Sequence, residues 1–305
     1  MAAIELDGVT KRYGELVAVD DLDLTVPEDS IYGFLGPNGA GKSTTINMLL
    51  DFVRPTDGRI EVLGRSARDE SVAIRQRTGV LPEGFDVYSR LTGRQHVEFA
   101  VESKEADDDP VALLERVGLE DALDRKAGGY SKGMRQRLAL AMALAGEPEL
   151  LILDEPSTGL DPNGAREMRE IVREEADRGA TVFFSSHVLG QVEAVCDRVG
   201  ILQDGRLVAE DSVEGLRSAV DADSTLRLTV DTVSDGTLER VRQLRGVTGV
   251  SQSGNELTVT CDDGAKTSVI STLEDNGTTV KDFETAEASL EELFVAYTDG
   301  EEVTA

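Results

Sequence analysis

Apolar and polar positions alternate along residues 4–26, IELDGVTKRYGELVAVDDLDLTV, with a break at Tyr13-Gly14. A period of two interrupted by a turn predicts a pair of antiparallel strands. SIYGFL (30–35) is a short apolar run, as expected of a buried strand, and KSTTINMLLDF (42–52) after it has helical spacing. A polar, charge-rich middle, roughly 83 to 145, reads as mainly helical in RLTGRQHVEFAVES, PVALLERVGL and MRQRLALAMALAG. LLILDEP (150–156), the amphipathic NGAREMREIVREEADRG (163–179) and TVFFSSH (181–187) then read as strand, helix, strand. Buried strands alternating with helices predict an α/β fold with a mostly parallel sheet and crossover helices.

Past residue 215 the texture changes. STLRLTV, GTLERVRQLRG, VTGVSQ, ELTVTC, AKTSVISTLEDNG and TTVKDFET read as strand, helix, strand, strand, helix, strand, with Ser253-Gly254-Asn255 as a hairpin turn. This order suits a small split-βαβ, ferredoxin-like unit of about 75 residues. SLEELFVAYT (289–298) predicts a final amphipathic helix, followed by a loose tail. A chain of 305 residues exceeds what one ordinary core fills. The expected division is a first domain at 1–218, with a helical subdomain at about 84–145, a small α+β domain at 219–299 and a tail at 300–305.

Charge narrows the choice of partners. The 59 acidic residues outnumber 31 basic ones, for a net charge of −28, and only seven of the basic residues are Lys. Such a field repels phosphate backbones, so a nucleic acid held on a general basic surface is excluded as a partner. Two readings of the charge stand side by side: a solvated surface, or halophilic adaptation to a salt-rich cytoplasm, where screening mutes repulsion between carboxylates. Cys196 and Cys261 are too few and too far apart for a disulfide framework or a zinc site, and each reads as a small buried residue. No apolar run reaches the roughly 18 residues that span a bilayer, and no signal peptide is visible, so a cytoplasmic chain is expected.

The chemistry starts at Gly36-Pro37-Asn38-Gly39-Ala40-Gly41-Lys42-Ser43, which has the G-x-x-x-x-G-K-[ST] spacing of a phosphate-binding loop and lies between a predicted strand and helix. Glycine lets the backbone curl so that successive N–H groups face an anion, and the helix N-terminus adds its dipole. Lys42 would bridge the β- and γ-phosphates and Ser43 would ligate Mg²⁺. Asp154 ends an apolar strand, where a carboxylate is costly unless it meets a cation, and Glu155 beside it suits a general base. Alone, Asp-Glu-Pro would be an ordinary helix-start turn; together with the upstream loop it reads as part of the same site. His187 follows another strand end, where it either contacts a γ-phosphate or is a structural histidine. Ser131 and Gly133 stand at the mouth of a helix, a second anion site in a chain that already has one. Two such sites suggest ATP sandwiched between two copies.

The loop at 36–43, YSKGM (130–134), LLILDEP, STGLDP (157–162) and SSH (185–187), in this order and spacing, resemble the ATP-binding cassette (ABC) ATPases over roughly residues 3 to 215. The resemblance implies the P-loop nucleotide-binding fold, with a mixed sheet core, an antiparallel β subdomain and a helical subdomain. It implies that Tyr13 stacks on adenine, that residues 36–43 with Thr44 bind ATP, that Ser43 and Asp154 serve Mg²⁺, and that Glu155 is the base and His187 senses the γ-phosphate. Ser131, Lys132 and Gly133 would contact the ATP held by a partner copy, and Asp161 would communicate across that homodimer. The sequence departs from the family's usual Leu-Ser-Gly-Gly-Gln at Tyr130, Lys132 and Met134. Glu83 stands where the family has a glutamine, and it is read either as a metal ligand or as a surface carboxylate.

With the C-terminal extension, these departures resemble the ATPase subunits of bacterial and archaeal exporters for drugs, sodium, or envelope lipids and polysaccharides. That resemblance implies a separate multi-span membrane permease docked near residues 83–100, around Phe85, Val87 and Tyr88, and a peripheral location on the cytoplasmic face of the membrane. The alternatives are a soluble cassette ATPase of translation or DNA repair, and a nucleotide switch or small-molecule kinase. Translation-type members carry two cassettes and repair-type members a long coiled-coil insertion, and YSKGM and SSH have no job in a switch or kinase.

Overall fold

The computed structural model describes residues 1–219 and 224–286. The helix expected at 289–298 and the tail at 300–305 lie outside the described residues. Contacts divide the chain into two compact units, Met1–Val213 and Glu214–Ala305.

The alternating N-terminal pattern forms β1 (Ala2–Tyr13) and β2 (Leu16–Pro27), paired antiparallel across Gly14, whose φ of +58° makes the tight turn. The apolar run after it is β3 (Ile31–Leu35), fully buried, and the phosphate-loop motif leads into α1 (Lys42–Leu49). β4 (Asp57–Val62) and β5 (Arg65–Ser66) complete a four-stranded antiparallel sheet of order β2-β1-β4-β5. α2 (Ser71–Arg77) then runs into β6 (Thr78–Leu81).

The charged middle is helical, as its spacing predicts: α3 (Gly93–Ser103), α4 (Pro110–Arg116) and α5 (Lys132–Leu144). Thr92 and Gln95 form a capping box on α3, and Asp109 caps α4 just before Pro110. Asp109 belongs to the acidic run 105–110, and its neighbour Asp108 accepts the Gly146 N–H at 3.0 Å, so this run serves local structure. β7 (Leu150–Asp154), α6 (Pro162–Asp177), β8 (Thr181–Ser186), α7 (Leu189–Glu193), β9 (Arg198–Gln203) and β10 (Arg206–Ser212) close the first unit.

The second sheet has the order β10-β9-β3-β8-β7-β6. Its strands run parallel except at the β9-β10 edge hairpin. A core cluster joins both sheets and α1: Leu6, Val19, Phe34, Ile46, Leu49, Ile60, Ile152 and Phe183 belong to it. Each such side chain contributes about 1.5–3 kcal/mol on burial. β3, β7 and β8 are adjacent and parallel, so their C-terminal ends open at one edge, the usual ligand crevice of such sheets.

In the second unit, α8 (Val213–Ala219) leads to β11 (Ser224–Val230), α9 (Asp235–Arg242), β12 (Val247–Ser253), β13 (Glu256–Cys261), α10 (Lys266–Asp275) and β14 (Val280–Ala286). The sheet order β12-β13-β11-β14, with all neighbours antiparallel, is the split-βαβ order that the element sequence predicts. Gly254, at φ +60°, makes the turn between β12 and β13. Leu226, Leu228, Val230, Leu257 and Val259 alternate inward against Leu238, Val241, Val269 and Leu273 of the two helices. Both cysteines are buried, as expected; burial pushes the Cys196 thiol up in pKa.

Candidate functional site

The loop 36–43 leaves β3 and enters α1 through Gly41, the N-cap residue, at φ +112°. A Cβ there would stand 2.5 Å from the Ala18 carbonyl oxygen, and one at Gly36 would stand 2.4 Å from that of Leu202. The loop is thus pressed against backbone on its outer side, and only glycine fits. No side chain caps α1, so the first-turn N–H groups, including those of Ser43 and Thr44, remain for an external acceptor. Pro37, Asn38 and Gly39 are exposed at the rim, while Ala40 is buried and donates its N–H to the Pro37 carbonyl at 3.1 Å.

Lys42 is buried, with its ammonium 2.6 Å from the Gly36 carbonyl, 3.3 Å from that of Pro37 and 3.8 Å from Glu155 Oε1. Burial pushes its pKa down, and the charges of Glu155, Asp154 and Glu83 pull the other way. Asp154 and Glu155 are 4% and 6% exposed. Asp154 accepts a hydrogen bond from Ser185 Oγ, its register partner across β7 and β8. Glu155 sits at φ +50°, a left-handed conformation that costs an L-residue about 1–2 kcal/mol. His187 leaves β8 with Nδ1 2.8 Å from Glu155 Oε1. A carboxylate only accepts, so Nδ1 carries the proton and Nε2 is the atom left to meet a substrate.

The YSKGM segment (130–134), where the family's signature sequence stands, builds a second cleft. Ser131 is the N-cap of α5 and accepts the Met134 N–H at 3.2 Å, which leaves its own O–H free to donate. Asp161 caps α6 in the same way through the Gly164 N–H at 2.9 Å. Ser131, Lys132, Gly133, Gly159 and Asp161 line one cleft of about 610 Å³, and neither Lys42 nor Asp154 lines it. Lys132 packs along the backbone of Gly159, where a Cβ would meet its side chain at 2.6 Å.

Glu83 is exposed, lines a cavity of about 670 Å³ with Arg135, Gln136 and Glu155, and its charge acts on Lys42. Along 83–100, Tyr88 and Phe99 are exposed, Phe85 is half-buried, and Val87 is buried. Val87 therefore offers no docking surface, which corrects the expectation that grouped it with Phe85 and Tyr88; a loop sequence does not reveal which apolar residue turns inward. Tyr13 is half exposed at the hairpin tip, with the Lys11 ammonium 4.8 Å from its ring centroid; Ala18 is the hairpin residue against the loop. His96 is buried and structural, its Nε2 accepting the Tyr88 N–H at 3.0 Å and its Nδ1 2.7 Å from the Thr92 carbonyl.

Two side chains at the site escape the sequence reading. Ser185 precedes His187 by two positions, and the period of two in a strand is the signal that puts it beside Asp154. Gln136, in α5, donates to the Pro156 carbonyl at 2.8 Å. The residues fit Mg²⁺ with ATP: the uncapped N-terminus of α1 suits phosphate, Ser43 and Asp154 offer hard oxygen donors, and three carboxylates face one ammonium. That excess of negative charge calls for a cation.

A model of the ABC transporter family matches residues 19–158. A model of the C-terminal domain of DrrA1-3-like ATP-binding proteins matches residues 212–298. The chain is 42% identical over 220 residues to the bacitracin transport ATP-binding protein BcrA of Bacillus licheniformis, covering 70% of this chain and 71% of that protein. It is 36% identical over 305 residues to the daunorubicin resistance ATP-binding protein DrrA3 of Streptomyces coeruleorubidus, covering 97% and 96%. Among solved structures it is similar to the ATP-binding subunit of an ABC transporter, with TM-score 0.66 and 29% identity over 71% of this chain and 92% of that one. It is also similar to a dimeric ATP-binding cassette in a post-hydrolysis state with ADP and Pi, with TM-score 0.64 and 25% identity over 69% and 98%. With this loop, this acid pair and these relatives along nearly its whole length, the chain belongs to the ABC transporter ATP-binding proteins and is an ATPase of that family.

Proposed function

We propose that this chain is the motor subunit of an exporter, in which two copies close on ATP and a separate membrane permease converts the closure into transport. Lys42 and the loop N–H groups hold the phosphates. Glu155 takes a proton from the attacking water, and His187, hydrogen-bonded to Glu155 through Nδ1, stands at the γ-phosphate, where Nε2 must also carry a proton to donate to a phosphate oxygen. Ser43 and Asp154 would hold Mg²⁺, with Glu83 as a further oxygen donor, and such an ion would supply positive charge to stabilise the transferring phosphoryl group. Burial of Glu155 keeps its carboxylate close to Lys42 and away from competing bulk water.

The observation that carries the dimer is the separation of the two anion sites. Ser131 and Gly133 line a cleft that Lys42 does not line, which supports a reading in which the Ser131 hydroxyl meets a nucleotide brought by a second copy. Asp161, in the same cleft, is placed to report across that interface. Among the described residues no helix is long and apolar enough to cross a membrane, which fits a motor that works through a partner. Exposed Tyr88 and Phe99 are the docking candidates for the permease, at the cytoplasmic face of the membrane. Export is favoured by relatives whose names record bacitracin transport and daunorubicin resistance.

The test is Glu155→Gln, which keeps shape and removes the base. Phosphate release is expected to fall by about 10²–10⁴-fold, the contribution of a positioned base, while ATP shifts the variant from monomer to dimer on a sizing column. A variant that stays monomeric in ATP while the wild type turns over would overturn the sandwich.

A further inference from the structure

We infer that Gln136 is a positioning residue for Glu155, making the helix that faces the partner's nucleotide the holder of this copy's own base. The inference rests on the proposed role of Glu155. Glu155 is held in the left-handed region at φ +50°, immediately before a proline, where an L-residue is under strain. Such a conformation persists only when the surroundings over-determine it. Four contacts do so here. The Glu155 N–H donates to the Ser185 carbonyl at 3.2 Å, and the Glu155 carbonyl accepts the Thr158 N–H at 3.1 Å. Gln136 Nε2 donates to the Pro156 carbonyl at 2.8 Å and reaches the Glu155 carbonyl at 3.5 Å.

Of these, Gln136 is the one contributed by a side chain from another element. It is half-buried one turn into α5, the helix whose N-cap is Ser131 and whose first turn contains Gly133. The path from the signature cleft to the base is therefore short and continuous: a shift of α5 as Ser131 meets the partner's nucleotide moves the Gln136 amide, and with it the peptide that aims the Glu155 carboxylate. Asp161 gives no equivalent grip on this peptide, since its side chain is engaged in capping α6.

The test uses the full chain with Gln136→Met, which keeps length and helix propensity but has no donor, and Gln136→Lys, which restores one. ATP affinity, measured by titration of a fluorescent ATP analogue, and kcat are compared with the wild type, with the melting temperature as a control on folding. Gln136→Met is expected to lower kcat by about 10- to 100-fold, the range for a misplaced catalytic group, with affinity changed less than about twofold and Gln136→Lys recovering most of kcat. Wild-type kcat in Gln136→Met, a parallel loss of affinity, or no recovery with Lys would each overturn the inference. If Gln136→Met does not fold, Gln136→Leu, also uncharged and without a donor, carries the same comparison. Glu155→Gln is assayed alongside. Wild-type turnover there overturns the reading of the base itself, whereas an inactive Glu155→Gln with an unimpaired Gln136→Met overturns only the role of Gln136.

Discussion

Ser185→Ala isolates the support beneath the acid pair. Ser185 has no exposed surface, lies opposite Asp154 in the β7-β8 register, and donates its hydroxyl to Asp154 Oδ1. Asp154 is itself 4% exposed, so water cannot easily replace that donor. Alanine removes one oxygen from a backbone position that accepts either residue, which leaves a buried carboxylate oxygen short of a partner. A hydrogen bond to a charged group contributes about 1.5–3 kcal/mol, so a loss near 2 kcal/mol is expected. For a unit the size of Met1–Val213, each kcal/mol moves Tm by about 2–4 °C, giving a fall of about 4–8 °C by calorimetry. Asp154→Asn supplies the control, because the charge that makes the bond strong is gone. In a double-mutant cycle, Ser185→Ala should cost about 1 kcal/mol less on the Asn background than on the wild type. Additive effects, with a coupling below about 0.5 kcal/mol, would refute the reasoning.

Two further predictions concern the scaffold and the solvent. Lys104 Nζ donates to the carbonyls of Arg75, Gln76 (3.3 Å) and Thr78 (2.6 Å), tying the end of α3 to the end of α2, while burial pushes its pKa down. Lys104→Met removes a charged donor from those carbonyls, of which that of Arg75 keeps the Thr78 N–H, and is expected to cost about 2 kcal/mol, read as a lower midpoint in urea unfolding; an unchanged midpoint would show the clamp to be idle. The net charge of −28 predicts that raising KCl from about 0.1 to 1 M, which shortens the screening length from about 10 to 3 Å, raises Tm. A flat or falling Tm would leave the acidic surface as a solubility device and remove the case for halophilic adaptation.

Much of the site was legible because its chemistry forces local patterns. The loop needs glycine at Gly36 and Gly41, where the structure leaves no room for a Cβ, and a phosphate site needs its strand and helix on either side. Alternation gave β1 and β2, and the order of elements gave the second unit, since each is written into neighbouring residues. What escaped depends on partners far along the chain. β4, β5, β6 and α2, between residues 57 and 81, are short, and β4 is defined by pairing with β1, about fifty positions away. The same holds for β9, paired with β3, and for β10, paired with β9. Val87 differs from Tyr88 only in which way the loop turns. Gln136 is one of the polar residues at the start of a mostly apolar helix, and its meaning comes from a carbonyl 20 residues on.

The separation of the two clefts has a consequence for how the proposed motor keeps its strokes in order. In the proposed motor, Lys42, Asp154, Glu155 and His187 of one copy serve that copy's own nucleotide, while Ser131 and Gly133 serve the one held by its partner. If those halves were independent, one copy could hydrolyse its ATP before the partner had closed on it, and the energy would be lost as heat. A link through α5 avoids that. The base is held in a strained conformation whose grip includes Gln136, so its aim depends on where the signature helix sits, and that in turn depends on the nucleotide presented by the partner. Strain at Glu155 makes the device sensitive: a residue resting in a broad minimum would tolerate a shifted neighbour, whereas one that costs about 1–2 kcal/mol to hold relaxes when a contact goes. On this reasoning the left-handed glutamate is what couples hydrolysis to closure, and relieving its strain without moving its carboxylate should raise ATP turnover in the absence of a permease.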